Sequence, residues 1–186
     1  IREARFGKEG AIIPYGAISI LPDHLGAPTI VIVGEGLSNS RVSISHSGSM
    51  AAAMFCSEPD VLPGIDVEVI EPRHDSWADG YFTPAERAWA DQANNRDRAL
   101  TAAWAIKEAY LKAIGIGARA DFREIDVGYD GKVWSVNVSG TVAERLAEVG
   151  GGEAMVSVGL EDDIVVARVY LQQASTVAHS TEIHIQ

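Results

Sequence analysis

One long helical pattern, from Asn95 to Ile114, lies between two groups of short strand-like runs. Its apolar stripe consists of side chains at helical spacing, namely Leu100, Ala103, Trp104, Leu111 and Ile114. Gly115 follows directly and predicts the end of the helix. A long amphipathic helix among many strands predicts an α+β fold in which the helix is covered by antiparallel sheet.

The strand-like runs are Ala17–Leu21, Thr29–Val33, Arg41–His46, Met50–Ser57, Gly64–Ile70, Glu124–Gly128, Lys132–Val138, Ala154–Leu160 and Ile164–Leu171. Asp130-Gly131 and Asp162-Asp163 predict hairpin turns. Thr83 to Glu86 has the pattern of a capping box and predicts a helix start. Thr141 to Val149 predicts a second short helix.

The two halves of the chain repeat one order of elements. The corresponding segments are Lys8-Glu9-Gly10, the turn at Gly26 and Val42–Ser45 in the first half, and Lys107-Glu108-Ala109, the turn at Gly131 and Val156–Gly159 in the second. This repeat predicts two similar α+β lobes related by a pseudo-twofold axis, each with a small antiparallel sheet and a packed helix. The predicted boundaries are an N-terminal lobe 1–63, a connecting segment 64–82, a C-terminal lobe 83–173 and a polar tail 174–186.

Composition excludes several classes of protein. Hydrophobic residues make up 47% of the chain and charged residues 22%, so a packed core is expected rather than global disorder. The formal net charge is −11, and the sequence has no cluster of basic residues of the kind that binds a nucleic acid. No apolar run approaches the ~20 residues that a membrane span needs, and no basic-then-apolar leader is present. We therefore expect a cytoplasmic protein with neither nucleic-acid nor membrane partners.

Two carboxylates alternate in the run from Gly64 to Glu68. Residues two apart on a strand point to the same face, so Asp66 and Glu68 lie side by side. Two such charges repel each other unless a cation lies between them. Without a cation, the alternative is a strand edge with both acids in water.

Two charged groups four positions apart lie on the long helix. Glu108 and Lys112 share a face with Trp104, one turn earlier. An ordinary surface ion pair is one interpretation. The aromatic ring favours a partly covered face instead, where a carboxylate for a metal and a lysine for a phosphate lie together.

A strand ends in hydroxyl and imidazole groups at Ser45-His46-Ser47, followed by Gly48. These side chains offer hydrogen-bond donors, and glycine permits close approach of the backbone. A single histidine in a turn is often structural, and no G-x-S-x-G elbow of a hydrolase accompanies it.

Taken in order, these segments resemble the 4'-phosphopantetheinyl transferase superfamily. The family's G-[IV]-D-x-E and W-x-x-K-E-[AS]-x-x-K motifs are complete at Gly64–Glu68 and Trp104–Lys112, and Phe82–Glu86 is similar to its F-[ST]-x-x-E segment. The I-S-H-S sequence at Ile44–Ser47 is typical of the larger, pseudo-dimeric (surfactin-synthetase-associated) branch. One departure lies at Leu25-Gly26-Ala27-Pro28, where the family usually has a basic residue beside the glycine.

The resemblance implies a role for each matching residue. Asp66, Glu68 and Glu108 would hold Mg²⁺, with Mn²⁺ as a substitute. Lys112 would contact the pyrophosphate of coenzyme A, and Ser45 and His46 would bind its phosphates. Lys8, in the segment similar to the family's first helix, would meet the 3'-phosphate. Glu108 and Lys112 would be catalytic, with either Glu108 or a water on the metal accepting the proton.

The implied activity is transfer of 4'-phosphopantetheine from coenzyme A to a serine of an acyl or peptidyl carrier protein, with release of 3',5'-ADP. A non-catalytic module that docks carrier domains and an unrelated Mg²⁺ phosphohydrolase are the alternatives. The internal repeat predicts a monomer with one coenzyme A per chain. Because the sequence begins at Ile1 rather than Met, we also consider a domain of a larger synthase. The pathway and the carrier are left open.

Overall fold

The computed structural model describes residues 14–24, 26–34 and 36–173. Lys8 and the helix expected around it lie outside the described residues, as do Leu25 and the tail 174–186. None of the helices in the described part of the chain is long and apolar enough to cross a membrane.

The first half forms one antiparallel sheet, which we call the N-terminal sheet. Its strands are β1 (Ile18–Pro22), β2 (Pro28–Ile32), β3 (Gly36–Ser47) and β4 (Met50–Cys56), in that spatial order. Ile30 and Ile32 form a small buried cluster on this sheet.

The second half builds a three-stranded sheet and a separate hairpin. The sheet contains β5 (Val61–Val69), β8 (Gly151–Glu161) and β9 (Ile164–Gln173) in the order β5-β9-β8, with every pair antiparallel. The hairpin pairs β6 (Ile125–Tyr129) with β7 (Trp134–Val138). β5 is therefore an edge strand of its sheet, with one side open to other contacts.

The described part of the second half also contains four α-helices, namely α1 (Asp75–Tyr81), α2 (Pro84–Asp91), α3 (Arg96–Ile114) and α4 (Gly140–Glu148). Asn95 caps α3 at its start, and Gly115 ends it in the left-handed conformation. Most residues of α3 are buried in the main hydrophobic core. The helix packs on the neighbouring strands β5 and β9 and also contacts α2.

Gly64 sets the distance between α3 and β5. A Cβ atom at this position would lie 1.9 Å from the carbonyl oxygen of Ala109, a distance that no side chain tolerates. Glycine therefore lets the helix backbone reach the strand directly. This close approach brings the charged residues of α3 beside Asp66 and Glu68.

The structure confirms most of the predicted elements. Each predicted strand is present with shifts of a few residues at its ends, and so are both hairpin turns and the helices predicted at Thr83, Asn95–Ile114 and Thr141–Val149. Thr83 and Glu86 form the predicted capping box. Helix α1 was not predicted, because Asp75–Tyr81 is short and polar and has no capping side chain.

The two halves differ in architecture. Strands β1 to β4 form one continuous sheet, whereas the later strands divide between a sheet and a hairpin with α4 in between. The described part of the first half contains no α-helix. The pseudo-twofold arrangement of lobes and the boundaries at 63, 82 and 173 therefore stay predictions, and the segment 64–82 contains most of β5 and all of α1.

Candidate active site

Asp66 is the most buried carboxylate of the site. It projects from β5 and is only 3% exposed. Lys112 Nζ donates to its Oδ1 at 2.6 Å, and Ser45 Oγ donates to the same oxygen at 2.7 Å. Its other oxygen, Oδ2, is buried with no hydrogen-bond partner among the described residues. A buried oxygen without a donor is costly, so this atom is suited to a ligand.

Glu68, two residues further along β5, is held from two sides. Trp104 Nε1 donates to its Oε1 at 3.0 Å, and Ser47 Oγ donates to its Oε2 at 3.3 Å. The indole of Trp104 is itself fixed, since it stacks on Phe122 at 4.6 Å between ring centroids and meets the edge of Tyr81. The carboxylate of Glu68 therefore has a defined orientation.

A row of serines links β3 to the open side of β5. Ser43, Ser45 and Ser47 alternate along β3 and so point to one face. Ser43 Oγ accepts from the backbone N–H of Ile65 at 3.0 Å, while the other two serines donate to Asp66 and Glu68. Side-chain hydroxyls thus join the N-terminal sheet to the strand that carries the carboxylates.

Glu108 lies on α3, half-buried beside the same cluster. Its side chain lines a cavity of about 300 Å³ together with Tyr81, Trp104 and Phe122. The cavity borders the carboxylate cluster, so a group entering it would come close to Glu108.

Burial raises the pKa values of all three carboxyl groups, and the charge of Asp66 adds to the rise in the other two. Burial raises the pKa of Asp66, while the charge of Lys112 and the hydrogen bonds from Lys112 and Ser45 oppose the rise. Burial and then the charge of Asp66 raise the pKa values of both Glu68 and Glu108. One lysine therefore faces three acids, and the cluster would gain from a further cation.

A second lysine of α3 is a structural group. Lys107 is completely buried, and its Nζ donates to Glu86 Oε2 at 2.8 Å and to the carbonyl oxygens of Tyr81 at 3.0 Å and Phe122 at 2.9 Å. Burial lowers the pKa of Lys107, and the neighbouring charge of Glu86 opposes this. These bonds fix the two segments that supply Tyr81 and Phe122 to the small cavity.

The structure brings together Asp66, Glu68, Glu108 and Lys112, and Ser45 lies with them. Asp66 is not in water, and Lys112 pairs with it rather than with Glu108, so the two ordinary interpretations of these patterns are wrong. His46 is exposed and leaves β3 on the face opposite to Ser45. Its role in phosphate binding stays a prediction.

Sequence reasoning gave no catalytic or binding role to three contributors to the site, namely Ser43, Ser47 and the Lys107–Glu86 pair. The serine row carries a signal, because hydroxyls at every second residue of a strand share one face. The buried pair carries none, since the same glutamate explains the capping box by itself.

The residues fit a hard divalent cation by their chemistry. Magnesium prefers oxygen ligands, and the cluster offers three carboxylates and the unpartnered Oδ2 of Asp66. As the side chains stand, no three His, Cys, Asp or Glu residues in the described ranges converge closely enough to hold a metal. The ammonium of Lys112 is bonded to Asp66 instead, so cation binding requires this lysine to move.

Comparisons with known proteins agree with this geometry. A family model of the 4'-phosphopantetheinyl transferase superfamily matches residues 63–150. The holo-[acyl-carrier-protein] synthase of Salinispora arenicola is 32% identical in an alignment of length 121 that covers 61% of this chain and 98% of that protein. The synthase of Chloroflexus aurantiacus is 34% identical in an alignment of length 128 that covers 57% of this chain and 93% of that protein.

Solved structures give the same result. The holo-[acyl-carrier-protein] synthase of Neisseria meningitidis matches 60% of this chain and 97% of its own, with a TM-score of 0.54 and 26% identity. The Chronobacterium ammoniagenes protein, solved as a complex with coenzyme A, matches 61% of this chain and 98% of its own, with a TM-score of 0.53 and 27% identity. The chain belongs to the 4'-phosphopantetheinyl transferase superfamily.

Proposed function

We propose that this chain transfers the 4'-phosphopantetheine group of coenzyme A to a serine of a carrier protein, and that Asp66, Glu108 and Lys112 form the reaction centre. The chain is a holo-[acyl-carrier-protein] synthase, with coenzyme A and an acyl carrier protein as its partners. The observation that supports this site is the buried Asp66, bonded to Lys112 where β5, α3 and β3 meet. All three proposed residues lie within the matched range 63–150.

The reaction exchanges one phosphorus–oxygen bond for another. The serine oxygen forms a bond to the phosphorus that carries pantetheine, and the bond from that phosphorus to 3',5'-ADP breaks. Such a transfer depends on positioning and on charge neutralisation more than on covalent help from the protein. The serine proton must go to a nearby base, and the leaving 3',5'-ADP gains negative charge.

Two residues of this chain meet those needs. Glu108 is placed to accept the serine proton, because it lines the small cavity beside the carboxylate cluster. Lys112 provides a positive charge to the pyrophosphate once its ammonium leaves Asp66. Glu68 is fixed by Trp104 and Ser47 and keeps its carboxylate beside the other two.

Magnesium is part of the proposal. Asp66, Glu68 and Glu108 would hold the ion, and Mn²⁺ would replace it. When bound, the ion would offset negative charge on the pyrophosphate oxygens. The supporting observations are the oxygen-rich donor set and the unpartnered Oδ2 of Asp66.

We also propose the larger, pseudo-dimeric type of transferase, acting as a monomer in the cytoplasm. The N-terminal sheet precedes the matched range 63–150 and reaches the site through Ser45 and Ser47 of the same chain. A site completed within one chain needs no second copy. Light scattering with bound coenzyme A tests this proposal: we expect one coenzyme A per monomer, and a trimer would contradict it.

The activity is tested by mass spectrometry of carrier proteins. Purified chain, coenzyme A and Mg²⁺ are incubated with a panel of acyl and peptidyl carrier proteins, each paired with its serine-to-alanine variant. We expect the mass of phosphopantetheine to be added to at least one intact carrier and to none of the variants. Binding of carriers without any transfer would contradict the proposal and favour a docking module. Release of 3',5'-ADP without carrier modification would favour a phosphohydrolase.

A further inference from the structure

A larger cavity lies beside the candidate active site. Its volume is about 680 Å³, and it separates the N-terminal sheet from the C-terminal ends of α3 and α4. Lys112 lines it together with Arg41 of β3, Ala27 of the β1–β2 turn and the apolar side chain of Leu62. Ligand sites commonly have volumes of this order and a mixture of apolar and polar walls. The cavity is therefore large enough for a nucleotide next to the reacting groups.

Among the residues that the structure describes, three cationic side chains line this cavity, and two of them are already paired. Lys112 donates to Asp66, and Arg145 donates to Glu148 and to the carbonyl oxygen of Ile114. Arg41 is exposed, and its one hydrogen bond within the described ranges is a long one, from Nη2 to Gln173 Oε1 at 3.5 Å. No carboxylate there lies within ion-pair distance of its guanidinium. In a chain with a net charge of −11, an uncompensated guanidinium at a cavity is suited to an anionic ligand.

The direction of the Arg41 side chain follows from the strand. Arg41 continues the alternating row of Ser43, Ser45 and Ser47, so it leaves β3 on the face that meets the second half of the chain. Its bond to Gln173, at the end of β9, agrees with this direction. The row therefore ends in a charged group, while its middle reaches Asp66.

The acidic residues of the cavity are already engaged. Asp23 Oδ1 accepts from the backbone N–H of Ala27 inside the β1–β2 turn, and Glu148 pairs with Arg145. A ligand anion at Arg41 would therefore meet a guanidinium that is paired with no acid of the described ranges.

We propose that Arg41 binds the 3'-phosphate of coenzyme A and makes the chain selective for coenzyme A over dephospho-coenzyme A. This inference rests on the proposed function, which assigns the pyrophosphate to Lys112. Coenzyme A carries negative charge at two separate places, the pyrophosphate and the ribose 3'-phosphate. Arg41 of β3 and Lys112 of α3 supply cations at two places in the cavity, with apolar surface for the adenosine at Ala27 and Pro28. Arg41 thus supplies positive charge to a cavity whose Gly26–Pro28 turn has none.

The test compares two donors in wild type and in Arg41→Gln. We expect wild type to use coenzyme A about tenfold better than dephospho-coenzyme A in kcat/KM, which is the effect of one charge-assisted contact. Arg41→Gln should bring the two donors close to parity, because the loss falls on coenzyme A alone. Arg41→Lys should restore part of the selectivity, since the charge remains but the fork is lost. Arg98→Gln, at an exposed position at the other end of α3, is the matched control.

Calorimetric titration with the same two donors separates this inference from the proposed function. If no carrier is modified but Arg41→Gln weakens binding of coenzyme A and not of dephospho-coenzyme A, the proposed function fails and the inference holds. If carriers are modified and Arg41→Gln weakens both donors equally, the function holds and the inference is wrong. An effect of Arg41→Gln on KM for the carrier alone would also overturn it, because Arg41 would then bind the acidic partner.

Discussion

Helix α3 carries two lysine–carboxylate pairs with opposite surroundings. Lys107 and Glu86 are buried completely, and their polar atoms are saturated, since Glu86 also accepts from the backbone N–H groups of Thr83 and Val127. The side chain of Lys112 is 28% exposed, and its partner Asp66 keeps one oxygen without a donor. We therefore call Lys107–Glu86 the saturated pair and Lys112–Asp66 the incomplete pair.

The difference separates a structural ion pair from an ion pair of the candidate active site on one helix. Five helical positions turn the direction of a side chain by about 140°, so the two lysines face different parts of the molecule. The saturated pair fixes α2, the segment at Tyr81 and the segment at Phe122 around the helix. The incomplete pair has a surplus of negative charge and a lysine that can move. Only the incomplete pair can therefore bind a ligand cation and contact a phosphate.

Removing the saturated lysine should have the largest effect on stability. Lys107→Met leaves the charge of Glu86 buried without a partner, and we expect a loss of about 3–5 kcal/mol in the free energy of unfolding. Urea unfolding measures this loss. The double variant Lys107→Met with Glu86→Gln should recover part of it, because no charge is then stranded. A loss below about 1 kcal/mol would mean that the two pairs do not differ as described.

Removing a carboxylate of the incomplete cluster should act on rate and spare the fold. We expect Asp66→Ala or Glu108→Ala to lower carrier modification at least about 100-fold while the thermal midpoint stays equal or rises. EDTA should abolish activity, and Mg²⁺ or Mn²⁺ should restore it. Glu144→Ala, an exposed acid on α4, serves as the control. Full activity in the presence of EDTA would contradict the proposed metal site.

Changing Lys112 sharpens the comparison, since its charge is expected to act in the transition state. Lys112→Ala should lower kcat about tenfold or more and weaken coenzyme A binding by less. Lys112→Arg should rescue poorly, because a planar fork does not replace a compact ammonium. Steady-state kinetics and calorimetry separate the two effects. If only affinity is lost, Lys112 is an anchor rather than a catalytic group.

The smallest effect concerns pH. A carboxyl group whose pKa is raised in the folded state stabilises the fold below its ordinary pKa, here 4.5 for Glu108, and that stability is lost as pH rises through the raised value. Without metal, Glu108→Gln should therefore raise the free energy of unfolding at neutral pH by less than about 1 kcal/mol and flatten its fall above pH 4.5. Equal slopes in wild type and variant, measured by urea unfolding from pH 4 to 8, would contradict the shared charge.

The sequence indicates each face of the site but not how the faces meet. Strand alternation places Asp66 beside Glu68, and helical spacing places Glu108 beside Lys112. Their meeting depends on the contact of α3 with β5 at Gly64, which is a tertiary event. The need for glycine at position 64 is therefore explained only by the fold, in which the carbonyl group of Ala109 packs against it.

Local patterns also fail to separate the two lysines of the helix. Lys107 and Lys112 stand in similar sequence surroundings, and burial depends on partners far along the chain. Glu86 lies in α2, and the carbonyl groups that complete the bonding of Lys107 belong to Tyr81, at the end of α1, and to Phe122, just before β6. No sequence periodicity indicates such a set of partners. The sequence therefore predicts two lysines on the helix, and only the fold shows that Lys107 is structural and that Lys112 lies in the candidate site.

The serine row between β3 and β5 makes assembly and competence inseparable. If β3 slid by one residue, Val42, Ile44 and His46 would take the places of the three hydroxyls, and Asp66, Glu68 and the N–H of Ile65 would each lose a partner. If the N-terminal sheet is misplaced, Asp66 and Glu68 therefore lose the hydrogen bonds from the serines. We expect such a misfolded chain to be inactive, rather than to consume coenzyme A without modifying a carrier.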